Sequence, residues 1–357
     1  MNRWTAEAAT AWYAARDWPL GCNFVPSTAV NQLEMWQATT FDAATIDREL
    51  GFAAGLGMNA VRVFLHDLLW RDDAADLIAR IEAFLTLADG HGIATLLVLF
   101  ESCWNPAPVS GPQPLPRPGV HNSAWVQSPG MAALADPSTR PRLEAYVTGV
   151  VGHFASDRRI FGWDIWNEPD NGPEVTAREA ATLAAKAALV LPLLGHAFDW
   201  ARAAGPSQPL TSAVWSGDWS SLDRMTPIQR LQIEQSDVVS FHNYDAADVF
   251  ARRVAWLAAF DRPILCTEYL ARTRGSTFAA ILPVARAAKV GAFTWGLVRG
   301  DTQTHLPWDS WVHPYVDRPA GVWFHDILDT DGTPYDPAEV TLLRAASGEN
   351  DVSAATD

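Results

Sequence analysis

Two glutamates end short apolar runs. Glu168 stands in Trp166-Asn167-Glu168-Pro169, behind the run Ile160 to Trp166, and Glu268 closes Pro263-Ile264-Leu265-Cys266-Thr267-Glu268-Tyr269. They are 268 − 168 = 100 residues apart, too far for one local motif. Cleavage of a glycosidic bond uses such a pair: one carboxyl protonates the leaving oxygen and the other attacks or directs water. Either glutamate alone reads equally well as a surface acid or a cap; the Asn-Glu-Pro string and the matching second strand end favour chemistry. An acid at Glu168 needs a raised pKa, from burial or from the charge of Glu268. A nucleophile at Glu268 must stay ionised, and Arg62, inside the apolar run Ala60 to Leu65, is the cation to hold it. An Arg there needs a buried partner. Tyr244 is placed to orient the nucleophile and Asn167 to bond a sugar 2-OH. For His242 a structural and a functional role weigh the same.

The chain carries 17 Trp, more than a core needs, and flat indole faces suit sugar rings. Trp12, Trp200 and Trp256 lie in helical patterns and read as packing. Trp295 reads as the floor under the scissile sugar. Trp104, Trp125, Trp215, Trp219, Trp308 and Trp311 lie at strand ends or in long loops, about half of them expected as sugar contacts and half as anchors. Asp67 and Glu101 are further acids at strand ends, where hydroxyl binding and solvation weigh alike. Cys22, Cys103 and Cys266 are odd in number and widely spaced, so they read as buried free thiols rather than a disulfide framework. No CxxC or HExxH occurs, and neither a metal nor a cofactor is expected.

The positioning elements follow from periodicity. Apolar runs at Gly21 to Val25, Ala60 to Leu65, Ile93 to Phe100, Ile160 to Trp166, Leu210 to Trp215, Val238 to Phe241, Ile264 to Thr267 and Ala292 to Trp295 read as eight strands. Helical patterns alternate with them: Asp42 to Leu56 with Asp42 as cap, Leu77 to Ala88, Leu143 to Phe154, Thr176 to Ala204 with a break expected at Pro192, Val249 to Phe260, and Phe278 to Ala288. Eight βα units predict an α/β fold of the closed (β/α)8 kind, a single catalytic domain over residues 1–347 with a polar, frayed tail over 348–357. Trp104 to Gly130, with seven Pro, and Gly300 to Pro337 read as long loops on the C-terminal face, where barrel active sites are built.

With 26 Lys+Arg against 41 Asp+Glu, the formal charge of −15 disfavours nucleic acid or an anionic membrane as partner. No run of 18 apolar residues and no leader-type N-terminus occurs, so a soluble chain is expected, cytoplasmic as written and exported only with a leader. Carbohydrate is the expected partner; no protein partner is evident.

The chain resembles glycoside hydrolase clan A, and most of all family 5, the cellulase and mannanase family, over roughly residues 20 to 300. The residues carrying the resemblance are Arg62 on the second strand, Asn167-Glu168 ending the fourth, His242 and Tyr244 of His-Asn-Tyr at the sixth, Glu268 ending the seventh and Trp295 at the eighth. The resemblance implies retaining hydrolysis of a β-linked oligo- or polysaccharide through a covalent glycosyl-enzyme, with Glu168 as acid/base and Glu268 as nucleophile. One position departs: the family's His near the end of the third strand is absent from Phe100-Glu101-Ser102-Cys103-Trp104. Trp104 or Glu101 then takes that wall, or His66 or His121 reaches in from a loop. The departure and the long loops favour a pocket and exo action. A transglycosylase with the same residues and a non-catalytic carbohydrate-binding barrel are the competing readings.

Overall fold

The computed structural model describes residues 2–172 and 177–348, with side chains 177–181 left out. The expected frayed tail lies outside the described residues, except Gly348. Eight parallel strands form one sheet: β1 (Leu20–Asn23), β2 (Ala60–Phe64), β3 (Ala94–Glu101), β4 (Ile160–Asn167), β5 (Leu210–Thr211), β6 (Val239–His242), β7 (Ile264–Tyr269) and β8 (Gly291–Trp295). Neighbours follow the order β5-β4-β3-β2-β1-β8-β7-β6. The circle closes through Val214, whose N–H donates to Ser240 O (3.1 Å) and whose carbonyl accepts from His242 N (3.0 Å). All eight expected strands are present; β5 is far shorter than its apolar run because its ladder gives way to this single bridge. Burial on both faces explains why the strands read as apolar runs rather than alternating ones.

A helix follows every strand: α1 (Ala43–Gly55), α2 (Asp67–Gly90), α3 (Arg140–His153), α4 (Ala177–Ala203), α5 (Pro227–Gln235), α6 (Ala247–Ala258), α7 (Phe278–Ala287) and α8 (Pro337–Ser347). Asp42 caps α1 by accepting from Thr45 N, as expected. α4 is not broken at Pro192. Pro192 and Ala188 are exposed, so water can serve the carbonyl whose partner the ring removes, while Leu193, Leu194, Ala197 and Phe198 stay buried. The Thr182–Ala203 part of α4 is long and apolar enough by composition to cross a membrane. In the barrel its apolar face packs into the core and buried Lys186 donates to Ser102 O and Asn171 O. α5 and α8 were not anticipated, although Thr226 and Gln229 form a capping box with Pro227 at the first helical position, and Asp336 caps α8 by accepting from Ala338 N, with Pro337 opening the helix.

The floor of the barrel is plugged by Leu96, Phe161, Leu265 and Phe293 beneath the helix Ala6–Ala14, whose Trp12 meets Phe161 edge-on at 4.9 Å. At the other end the two long loops clasp each other. Asn122 N donates to Thr302 O (2.8 Å), His121 N to Ser310 Oγ (2.9 Å) and Tyr315 N to Gly119 O (2.9 Å). Trp104 stacks on Trp311 with centroids 4.7 Å apart and planes 4° from parallel. Because β1 and β2 lie between β3 and β8 in the sheet, this clasp roofs one side of the mouth.

Candidate active site

Arg62 is the centre of the assembly. It is fully buried in β2, and its Nε and Nη2 donate to Asp164 Oδ2 in β4 (3.0 and 2.8 Å). Its Nη1 donates to Asn23 Oδ1 and Glu268 Oε1 (both 2.8 Å), and Nη2 also reaches Asn167 Oδ1 (2.7 Å). The buried partner that the sequence demanded is therefore Asp164, with Glu268 as a second. Tyr244 Oη donates to the other Glu268 oxygen at 2.6 Å.

Glu168 follows β4 with φ of 42°, a left-handed turn that a non-glycine residue adopts only when its surroundings hold it there. Its Oε1 lies 2.7 Å from His242 Nδ1, and its Oε2 accepts from Cys103 Sγ (3.3 Å) and from Asn171 Nδ2. His242 Nδ1 is also 3.4 Å from Glu268 Oε2. One ligating atom each from Glu168, His242 and Glu268 lie within 4.8 Å of one another. Such a trio could hold a cation, but Arg62 already offers its charge to the same carboxylate.

The two carboxyls differ in surroundings. Burial pushes Glu168 up to about 7, with the charge of Asp170 adding to it. Of the two sources the sequence offers, burial and the charge of Glu268, burial is the main one. Burial also raises Glu268, with the charge of Glu168 adding to it, while Arg62 and the Tyr244 hydroxyl pull it back. Of the two, Glu268 alone has a guanidinium in direct contact, so a shared proton rests on Glu168. Burial drives His242 down to about 4, so it is neutral, with Nδ1–H as the donor and Nε2 buried without a partner among the described residues.

A cavity of about 690 Å³ opens over this floor. Glu168, Glu268, Asn167, Tyr244, Trp295, Trp104, His121, Trp215 and Glu101 all line it, whereas Arg62 and His242 stand behind the wall. Trp295 is held edge-on by Phe64 (5.6 Å) and Trp125 (5.9 Å), which fixes its plane. Trp125, Trp308 and Trp311 also line the cavity, more of the loop tryptophans than expected. Trp219 is an anchor, fully buried with Nε1 on Ser216 O (2.6 Å). The third-strand wall is shared by Glu101, Trp104 and His121, with Cys103 beside them. His66 does not reach in; it is buried, accepts from Leu68 N and contacts Gln127 O.

Other expectations are corrected. Asp67 is a structural acid, buried and paired with Arg142 Nη1 (2.6 Å) and the Ser128 hydroxyl (2.8 Å). Asn167 spends its amide on Glu101 Oε2 (2.9 Å), so the sugar 2-OH must compete for it. Cys22 and Cys266 are buried, but Cys103 is half-buried and faces the cavity. Sequence reasoning missed Cys103, Asn171 and His325. Asn171 lies three residues beyond Glu168 in the same turn, which is the signal that could have found it.

No family model matches the chain, and no curated protein matches it in sequence. Solved structures do match. An exo-β-1,4-mannosidase from Opitutaceae bacterium strain TAV5 shares 21% identity at a TM-score of 0.61, over 94% of this chain and 60% of that one. This chain thus spans under two thirds of that mannosidase. A GH5_18 protein from Streptomyces cattleya, in complex with Manβ1-4GlcNAc, shares 14% identity at a TM-score of 0.58, covering 95% and 82%. An endo-1,4-β-D-mannanase from Thermotoga petrophila shares 13% at 0.55, covering 92% and 99%. At these identities the likeness is one of fold: the chain is a (β/α)8 barrel built like those of the family 5 mannosidases and mannanases.

Proposed function

We propose that the chain is a retaining, exo-acting β-glycosidase, with β-1,4-linked mannosides as its substrate class. The observation that carries the reading is the pairing of Glu168 and Glu268, with oxygens within 4.8 Å of each other, at the floor of an aromatic cavity. A retaining pair needs its carboxyl groups about 5–5.5 Å apart, whereas inversion needs room for a water between them. Glu268, held by Arg62 and Tyr244, attacks the anomeric carbon while Glu168 gives its proton to the departing oxygen. Water then enters, Glu168 takes its proton, and the sugar–Glu268 bond breaks.

Exo action is supported by the clasp over β1 and β2. The leaving group departs past Glu168, toward Asn171 and Trp215, so the sugar being cleaved extends the other way, under the roof. The mannoside choice rests on the matched structures, whose names specify β-1,4-mannosides.

The test is a screen of 4-nitrophenyl β-glycosides and β-1,4-manno-oligosaccharides, with proton NMR of the first product. Release of single β-configured mannose units from one chain end is expected. An α-configured first product, or near-normal turnover by Glu268→Gln, overturns the mechanism.

A further inference from the structure

Two histidines from different loops face the roofed end of the cavity. His121 comes from the loop after β3 and His325 from the segment after β8; their rings are 5.3 Å apart, and both line the cavity while being almost wholly buried. Each ring is fixed by a backbone carbonyl: His121 Nδ1 lies 2.7 Å from Leu306 O, and His325 Nδ1 bonds Leu270 O. A carbonyl only accepts, so Nδ1 carries the hydrogen in both rings. Burial lowers the His121 pKa to about 4 and takes that of His325 well below its ordinary value, so neither ring takes a second proton near neutrality. Nε2 is then a bare lone pair on each ring. Among the described residues no hydrogen bond serves either Nε2, and neither is sealed off from the cavity. His325 also packs against Tyr244 (5.3 Å between rings), which places it one side chain away from Glu268.

We propose that His121 and His325 form a paired acceptor site for free hydroxyls of a non-reducing-end sugar, and that this pair makes recognition terminal. The inference rests on the glycosidase reading. Both Nε2 atoms accept and neither donates, so only a ligand hydroxyl that gives its hydrogen satisfies them. A hydroxyl substituted by a further sugar has become an ether oxygen and has no hydrogen to give. An internal chain unit would leave a buried acceptor unpaired, and sites built around a hydroxyl reject analogues lacking it far more strongly than apolar pockets reject size changes. The clasp excludes a longer chain by shape, and the imidazole pair does so by hydrogen-bond polarity.

Calorimetry on the Glu268→Gln protein tests this without chemistry. Methyl β-mannoside and its 3-, 4- and 6-deoxy analogues are titrated with and without His325→Phe, and again with His121→Phe. At the 4-hydroxyl, the one a β-1,4 linkage consumes, its removal and the His change should each weaken binding roughly tenfold, and together no more than either alone. His→Gln, which keeps an acceptor in place, should restore part of the loss. Additive losses at the 4-position overturn the proposal, as does equal binding of parent and 4-deoxy sugar by the Glu268→Gln protein alone, a result that needs no His variant to fold. Turnover by the unaltered protein is measured separately. Turnover without coupling removes the histidine pair and leaves the glycosidase; coupling without turnover does the reverse.

Discussion

Arg62 Nη1 stands 2.8 Å from Glu268 Oε1, so a guanidinium in β2 grips the carboxylate that β7 presents across the barrel. The same cation holds Asp164 and is wholly buried. Arg62→Met leaves two buried carboxylates without their cation, and removing one partner of such a pair costs about 3–5 kcal/mol. Lower thermal stability is expected together with loss of turnover. Arg62→Lys cannot span Asp164, Asn23, Asn167 and Glu268 at once and should fail nearly as badly. Near-wild-type melting of Arg62→Met would contradict this account.

Glu168→Ala should slow substrates with poor leaving groups most, since proton donation is worth about 10²–10⁴-fold. Activated aryl glycosides need less help in the first step. Added azide should raise their turnover and trap a β-configured glycosyl azide, which NMR identifies.

The pH profile of kcat/KM should be bell-shaped. In the proposed mechanism Glu168 works protonated, and burial holds it at about 7, so activity should fall as pH rises through that value. The acid limb reports protonation of Glu268. Asn171 Nδ2 donates to Glu168, a bond that favours the ionised form. Asn171→Ala should therefore move the basic limb to higher pH, by on the order of half a unit. A shift to lower pH would reverse the assigned role.

Two neighbouring tryptophans should behave oppositely. Trp215 lines the cavity and bonds Asp170 through Nε1 (2.6 Å); Trp219 is buried away from it. Trp219→Ala should cost about 3–5 kcal/mol of stability with the site chemistry intact. Trp215→Ala should raise KM for disaccharides more than for aryl glycosides, with little change in melting.

Asp326 is a buried carboxyl held by the Thr304 hydroxyl (2.9 and 3.1 Å), and burial pushes it up to about 7. Its folded value exceeds its unfolded one, so its contribution is full in acid and is lost as pH rises through the folded value. Asp326→Asn should melt higher than the unaltered protein at pH 8 but not at pH 5. The difference should be on the order of a few kcal/mol, at about 1.4 kcal/mol per unit.

The eight strands were legible because burial on both faces turns each into an apolar run that no helix pattern mimics. The floor of the site was legible for a related reason: Arg62, Asn167 and Glu268 interrupt or end those runs, and polar groups there need partners. The loops were not. His325 is held at the cavity by Leu270 O, 55 residues away, and His121 by Ser310 Oγ, 189 residues away, and such contacts leave no period in the sequence. Pro192 misled because composition does not say which face of α4 meets water. α5 was overlooked although Thr226-Pro227-Ile228-Gln229 carries its start signal.

The clasp between the third and eighth loops touches none of the bonds that hold Arg62, Asp164 and Glu268 together. The proposed bond-breaking machinery and the proposed chain-end selection thus occupy separable parts of one polypeptide. Shortening both loops together would open the roof while leaving the carboxylates in place. Under the proposed exo action, this pair of interlocked loops is the switch between trimming a polymer from its end and cutting it in the middle.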